Sequence, residues 1–413
     1  MKPLLLVLCL AGCALPVHAQ LAPQAPAGLP PTERVQPWLL QDPAVQEAES
    51  GREAAARAAG MLRVSPNEWN VRLGTQRRNY TSGPTSNEWT AQLERTLRLP
   101  GKRALDGKLA SIELDLAEAR YGEAMHEAAR DLVDAYTYWA GAVRARELMA
   151  EQVKFAEENL RVAKLRQRAG DASGLDVNAI EADTAGIRGR LSRAVSDERK
   201  ALARLRIRFP GADVDALTLA DPAPVIEPEA VWKTRILETS DPLKIAQFEL
   251  DQAELNAARA RANRVPDPTV GLYTASEVYS TEKIIGAFVS VPIPGRYRSH
   301  QLGRSLAQVD MARAARDRQQ RLMEMEVAEG YADAVGNFER WRLAEESANR
   351  TRESARLTQY AYRQGEVDLQ ALLLARRQAV EAADAALDAR VQALRSHYRL
   401  LVDAHLVWGM EHN

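Results

Sequence analysis

The chain has 413 residues, enough for two or three ordinary domains, so a shortage of core does not limit it. Its 55 basic residues balance 56 acidic ones, which leaves no net field to draw nucleic acid over long range. That balance argues against a nucleic-acid partner.

At the start of the chain, Lys2 precedes an apolar run from Leu4 to Leu10, and Val17-His18-Ala19 gives a small-x-small pattern before Gln20. This predicts a secretion signal over residues 1–19, cleaved after Ala19. Leu10-Ala11-Gly12-Cys13 also fits a lipoprotein cleavage box that would leave Cys13 acylated, although the stretch before Cys13 is short for that route. With cleavage after Ala19, Cys9 and Cys13 both leave with the signal, and no thiolate remains for a disulfide, a metal or catalysis. No later segment has the ~20 continuous apolar residues of a spanning helix. An exported chain of this kind is then either soluble in the periplasm or crosses a membrane as a closed barrel.

Residues 20–66 hold a Pro-rich stretch from Pro23 to Pro37, expected to lie extended along a neighbour, followed by an Ala-rich helix. Over 67–100 the texture changes. Trp69, Val71 and Leu73, then Trp89, Ala91, Leu93 and Leu97, alternate with Asn70, Arg72, Thr90, Gln92, Glu94 and Thr96. Period two predicts a strand pair joined by a polar loop at 79–86.

Residues 101–209 are rich in Ala, Leu, Arg and Glu and nearly free of proline, with Tyr121, Met125, Ala128, Leu132, Ala135, Trp139 and Val143 in steps of three and four. Arg168-Ala169-Gly170-Asp171-Ala172-Ser173-Gly174 interrupts this run with residues that end a helix and turn the chain, which makes it a helical hairpin. Its first arm would be about 100 Å long at 1.5 Å per residue, more than a globular domain needs.

A linker with Pro222, Pro224 and Pro228 and a shorter helix near 243–262 occupy 210–265. The pattern then repeats. Val270, Leu272, Ile285, Ala287, Val289 and Val291 mark a second strand pair over 266–294. A second hairpin over 295–405 has Leu373, Val380, Leu387, Leu394 and Leu401 every seven residues and turns at Arg363-Gln364-Gly365-Glu366-Val367-Asp368. A tail, 406–413, completes the chain. Leu99-Pro100-Gly101-Lys102-Arg103 matches Ile293-Pro294-Gly295-Arg296-Tyr297, so the chain reads as a tandem duplication with barrel-to-helix turns at Pro100, Gly101, Pro294 and Gly295.

Catalytic constellations are missing: His126, His300, His397, His405 and His412 form no ligand spacing, and there is no phosphate loop, nucleophile elbow or dinucleotide fingerprint. The expectation is a non-enzyme without cofactor or metal. Carboxylates interleaved with Arg390, Arg395 and Arg399, among them Asp384 and Asp388, fit a solvated helix face. At the turns, Asp171, Asp176, Glu366 and Asp368, beside Tyr362 and Arg363, would form rings of charge if the tips converge on an axis. Helix capping uses the same residue types and explains them equally well.

Four strands cannot close a barrel, so a membrane-spanning form must be an oligomer, and a conducting lumen needs more than the eight strands of a dimer. Here the residues leave the number open. The duplicated strand pair and hairpin, Leu97-Arg98-Leu99-Pro100-Gly101-Lys102-Arg103 and Gly170-Asp171-Ala172-Ser173-Gly174-Leu175-Asp176-Val177-Asn178 resemble the TolC family of outer-membrane efflux proteins over about 67–406. The resemblance implies a mainly α fold with β: tandem long hairpins and four transmembrane strands per chain, in a homotrimer whose twelve-stranded barrel sits in outer-membrane lipid and continues as an α-helical barrel in the periplasm. It further implies a passive efflux conduit whose tips (Gly170, Asp171, Ser173, Gly174, Gly365, Glu366) meet a periplasmic adaptor, or membrane fusion protein, bound to an inner-membrane pump of the resistance-nodulation-division type.

Candidate gate residues are Asp176, Tyr362, Arg363 and Asp368; Gln370, Ala371 and Leu374 depart from the family's gating aspartates. The Pro-Gly-Lys-Arg turn and short loops are most similar to the branch that exports heavy-metal cations of the cobalt-zinc-cadmium type; multidrug and type I secretion channels are the alternatives within the class. A periplasmic adaptor would have one hairpin beside a lipoyl-like domain, and a coiled-coil scaffold would not explain the alternating strands.

Overall fold

The structure is a computed structural model that describes residues 26, 28–212 and 219–408. The signal segment and Cys13 lie outside the described residues. Helices α1 (Thr32–Leu40) and α2 (Pro43–Arg63) lead into strands β1 (Asn70–Arg78) and β2 (Ser86–Thr96), then α3 (Pro100–Arg168) and α4 (Gly174–Arg208). The order repeats as α5 (Glu229–Thr239), α6 (Asp241–Ala262), β3 (Thr269–Glu277), β4 (Glu282–Ser290), α7 (Arg296–Gln364) and α8 (Leu369–Asp403). The long arms α3 and α7 are both 69 residues and the return arms α4 and α8 both 35. The tandem reading therefore holds, and it extends further upstream than the strands, because α1–α2 and α5–α6 occupy matching places.

One expectation is corrected here. Pro37, taken as part of an extended segment, lies inside α1. A single proline there removes one backbone donor but has a helix-compatible φ. Burial of Val35, Trp38 and Leu39 in the main core outweighs that loss, at about 1.5–3 kcal/mol for each large side chain.

Each return arm reaches only half-way along its partner. The distal half of α3 is covered by α4, and its proximal half by α2 and α6, which continue towards the strands. Where these layers meet, Ala128, Leu132, Val133, Tyr136 and Trp139 of α3 pack with Val35 and Trp38 of α1, Leu205 of α4 and Phe209 just after it, and Leu394, Tyr398 and Val402 of α8. The Trp408 indole donates to the Pro30 carbonyl at 2.9 Å and ties the two ends of the described chain into this core. Burial raises the Tyr398 phenol to about 12.

The four strands form one antiparallel sheet in the order β1-β2-β3-β4. Its middle pairing, β2 with β3, joins residues more than 170 positions apart, with Leu93 opposite Leu272. The strand-to-helix junction is held by charge: Lys102, nearly buried, pairs with Asp267 at 3.0 Å, and Asp106 receives Arg98 at 2.6 Å and Arg259 at 2.7 Å. Pro100 opens α3, where its missing N–H costs nothing. Gly101, expected in a turn, lies in the first turn of α3, and only Gly295 of the matching pair stays outside its helix.

Candidate conduit surfaces and hairpin tips

Alternation along the strands and the observed register together sort the sheet into two faces. One carries Val71, Leu73, Trp89, Ala91, Leu93, Val270, Leu272, Ile285, Ala287 and Val289, most of them well exposed. From Trp89 to Leu97 is eight residues, or about 27 Å of strand before tilt, close to the ~25 Å apolar band of an outer-membrane barrel. Trp69 and Trp89 stand at opposite ends of this band, and the Arg95 guanidinium lies 5.4 Å from the Trp69 ring centre.

The other face is polar. Glu88 is 1% exposed; it accepts from Gln76 at 2.7 Å and pairs with Arg78 at 3.1 Å, and Arg78 also reaches Glu277 at 3.0 Å. Glu94 accepts from Asn70 and Gln92 and lies 3.8 Å from Arg72. Every carboxylate of the four strands (Glu88, Glu94, Glu277, Glu282) is on this face, with two arginines, Arg72 and Arg78.

Both hairpin tips use the same closure. Gly170 has φ +85° and Gly365 φ +79°. After α3, Gly170 donates to the Gln167 carbonyl and Asp171 to that of Arg166; after α7, Gly365 donates to Tyr362 and Glu366 to Ala361. These are paired Schellman closures. The next helices are capped at once. Ser173 accepts from the Asp176 N–H at 3.1 Å while Asp176 accepts from the Ser173 N–H at 3.2 Å, and Asp368 accepts from the Ala371 N–H at 2.8 Å. Gly174 is the first residue of α4. Asp176 and Asp368 therefore have capping roles, while Asp171, Arg363 and Glu366 are exposed.

The two tips touch each other. Ala163, Val177, Ile180, Leu369 and Leu372 form a small core between the hairpins, and Tyr362 packs on it with the Arg166 guanidinium 5.6 Å from its ring centre. Beyond this core, Arg190, Arg376 and Arg377 line a groove of about 500 Å³ with Asp183 and Glu381. Arg376 continues the buried stripe Leu369–Leu372 along α8, and burial pushes its guanidinium below the usual range against the opposing pull of Asp183. The signal that the sequence offers for this groove is a cation, Arg376, three residues after Leu373 in the heptad series.

At mid-length, the arginines of α8 do not form the solvated face expected of them. Arg395 grips Asp134 of α3 through two bonds of 2.7 and 2.6 Å, Arg399 reaches the same carboxylate, and Arg390 donates to the Leu219 and Ala220 carbonyls. The partners lie on other elements, which spacing along one helix cannot reveal. Asp384, half-buried, is pushed above the usual carboxylate range by that burial.

Nearby, His126 and His405, distant in sequence, have ring centres 5.3 Å apart beside a cavity of about 210 Å³ lined by Glu123, Arg130 and Asp403. His126 lies 3.3 Å from Asp403, which also takes Arg130 at 2.6 Å. Burial raises Glu123 to about 6 and lowers His405 to about 4. Among the described residues, no group of three or more His, Cys, Asp or Glu side chains could hold a metal ion.

A four-stranded sheet with one apolar and one polar face, continued by twin helical hairpins, is an architecture shared with solved outer-membrane channels. A family model described as "Outer membrane efflux protein" matches residues 232–402, from α5 through most of α8. Protein CyaE of Bordetella pertussis is 28% identical over 320 residues, covering 71% of this chain and 67% of that one. A membrane protein from Pseudomonas aeruginosa superposes with a TM-score of 0.73 at 20% identity, over 90% of this chain and 92% of that one. The Campylobacter jejuni CmeC outer membrane channel does so with 0.71 at 16% identity, over 92% and 85%. The chain is thus similar to outer-membrane efflux proteins, by the family model over its second repeat and by fold over most of its length.

Proposed function

We propose that three copies of this chain close a twelve-stranded barrel in the bacterial outer membrane and extend as a helical tunnel into the periplasm, giving a passive conduit for cationic cargo, heavy-metal cations first among them. The observation that carries this reading is the division of the sheet. A lipid-facing band of Val, Leu, Ile and Trp backs a polar face on which four carboxylates outnumber two arginines. In a bilayer the free edges of β1 and β4 need partners, which copies of the same sheet supply. The apolar side fits lipid, and the acidic side favours cations in the lumen. A periplasmic adaptor bound to an inner-membrane pump of the resistance-nodulation-division type would engage the exposed tips around Gly170 and Gly365.

Mass in detergent and single-channel conductance of the purified protein in a planar bilayer test this together. A trimer whose current prefers cations is expected. Asp368→Asn keeps a capping oxygen but removes the charge, so a rise in conductance in that variant would assign Asp368 to the gate. A monomer or dimer without conductance would overturn the conduit, and a trimer that prefers anions would overturn the cargo class.

A further inference from the structure

The outward face of the sheet holds no carboxylate at all, yet it carries cations near both ends of the apolar band. Arg95 lies at the helix end, covering Trp69. Arg77 on β1 and Lys283 on β4 lie at the loop end, where Arg77 pairs in register with Asn87, and Lys283 with Ser276. Both are exposed. Arg77 donates to Thr85 Oγ1 at 3.3 Å, which steadies one arm of the guanidinium and leaves its other donors open. The loops beyond, 79–85 and 278–281, contain no charged residue. Nothing nearby on the sheet's outward side neutralises either cation.

Their positions on the strands matter as much as their charge. β1 and β4 are the two free edges of the sheet, so in a closed ring β4 of one copy lies beside β1 of the next. Lys283 of one subunit and Arg77 of its neighbour then stand on adjoining strands, both near the loop end. Lys283 is in the row of Trp89 at the edge of the apolar band and Arg77 lies just past it, on the side away from the helices. With the helices in the periplasm, that level is the headgroup region of the outer leaflet.

We infer that Arg77 and Lys283, from adjacent subunits, form a site for the phosphate of an anionic lipid headgroup in the outer leaflet, repeated at each subunit seam. A guanidinium offers paired donors that suit phosphate, and an ammonium adds a compact second charge. Tryptophan at the band edge, as at Trp89, suits the same interfacial depth. The site rests on the trimeric barrel reading, because neither residue has the other beside it within one chain.

The test uses the full-length protein in detergent, with lipid A, dephosphorylated lipid A and inorganic phosphate as probes and lipid occupancy read by native mass spectrometry. Each surface charge is worth about fivefold in affinity for an anionic lipid, so Arg77→Gln with Lys283→Gln should weaken lipid A binding about 25-fold. Dephosphorylated lipid A should bind the unaltered protein as weakly as lipid A binds that double variant. Arg72→Gln, on the opposite face, should leave binding unchanged, and Arg77→Lys with Lys283→Arg should retain most of it. Equal lipid A binding by the double variant and the unaltered protein would overturn the site. Displacement of the lipid by millimolar inorganic phosphate would show a free-anion site and overturn the headgroup assignment. Oligomer mass and conductance measured on the same samples separate the two readings. A conducting trimer without charge-dependent lipid binding refutes the lipid site alone, whereas absence of a trimer refutes the conduit.

Discussion

Replacing Gly365 tests whether the tip is held by backbone conformation or by packing. Its φ of +79° lies in the left-handed region, and a Cβ built there meets nothing within 4 Å, so a side chain would bring conformational strain and no clash. Left-handed geometry costs an ordinary L-residue about 1–2 kcal/mol, somewhat less for Asn and more for a β-branched residue. The structure therefore orders the substitutions at this position as Asn mildest, Ala next and Val worst. The two closing bonds, Gly365 to Tyr362 and Glu366 to Ala361, should open together when the turn is strained. With 1.4 kcal/mol worth tenfold in an equilibrium, amide hydrogen exchange over 361–372 should accelerate about 5- to 30-fold in Gly365→Ala and further in Gly365→Val. Gly170→Val should do the same at the other tip, where φ is +85°. Gly186 in α4 also has open space around it but ordinary helical geometry, so Gly186→Ala should slow exchange there slightly. Equal exchange for Asn, Ala and Val at 365 would refute a conformational origin, as would a Gly186→Ala variant as loose as Gly365→Ala.

Stability should fall as pH drops from 7 to 4. His405, lowered to about 4 from 6.5, favours the fold above 6.5 and loses that contribution as pH falls towards 4; Glu123, raised to about 6 from 4.5, works the opposite way over a narrower window. The net loss is on the order of 1 kcal/mol per chain before screening by solvent at these half-buried sites, and His405→Gln should abolish or invert it in melting temperatures read at pH 7, 5.5 and 4. Glu88→Gln should lower thermal stability by about 1–3 kcal/mol, because a buried charge-assisted network loses its acceptor charge, and should reduce the cation-to-anion permeability ratio in planar bilayers. Asp134→Asn removes the carboxylate shared by Arg395 and Arg399; the groups are partly exposed, so a loss of about 1 kcal/mol is expected in thermal melting.

The elements legible in the sequence were those whose signal is local. Period two marked the strands because one face is apolar, and parity alone placed Glu88 and Glu94 opposite Trp89 and Leu93. Gly170 and Gly365 stood out because a helix that must reverse needs a left-handed residue. What stayed hidden depends on distant partners. Nothing near His126 announces His405, nothing near Asp134 announces Arg395, and the fit of Asp267 under Lys102 needs the strands of both copies in place. The Pro-rich start misled in the opposite direction, since tertiary burial of Val35 and Trp38 overrode a local cue. Of the two readings the tip carboxylates left open, capping is met at Asp176 and Asp368, and only the contrast between capping and charge can separate it from gating.

The two copies have equal arm lengths but unequal surroundings, and that inequality bears on assembly. Twenty-one residues of α3 are buried, but only five of α7 are. The difference does not arise from a lack of apolar side chains, because Leu306, Met311, Leu322, Met325, Leu343, Leu357 and Tyr360 of α7 are all exposed. α3 is enclosed by α2, α4, α6 and α8 of its own chain, while α7 has α6, α8 and the short α5. A helix of about 100 Å that leaves so many large apolar side chains open is under-covered by its own chain, and duplication explains why. Two equivalent units in a row give the first a successor to pack against and leave the second without one. In the proposed closed ring the first unit of the next copy would fill that place, and the same step would bring β4 beside β1, so one rotation would satisfy both the bare helix face and the unpaired sheet edges.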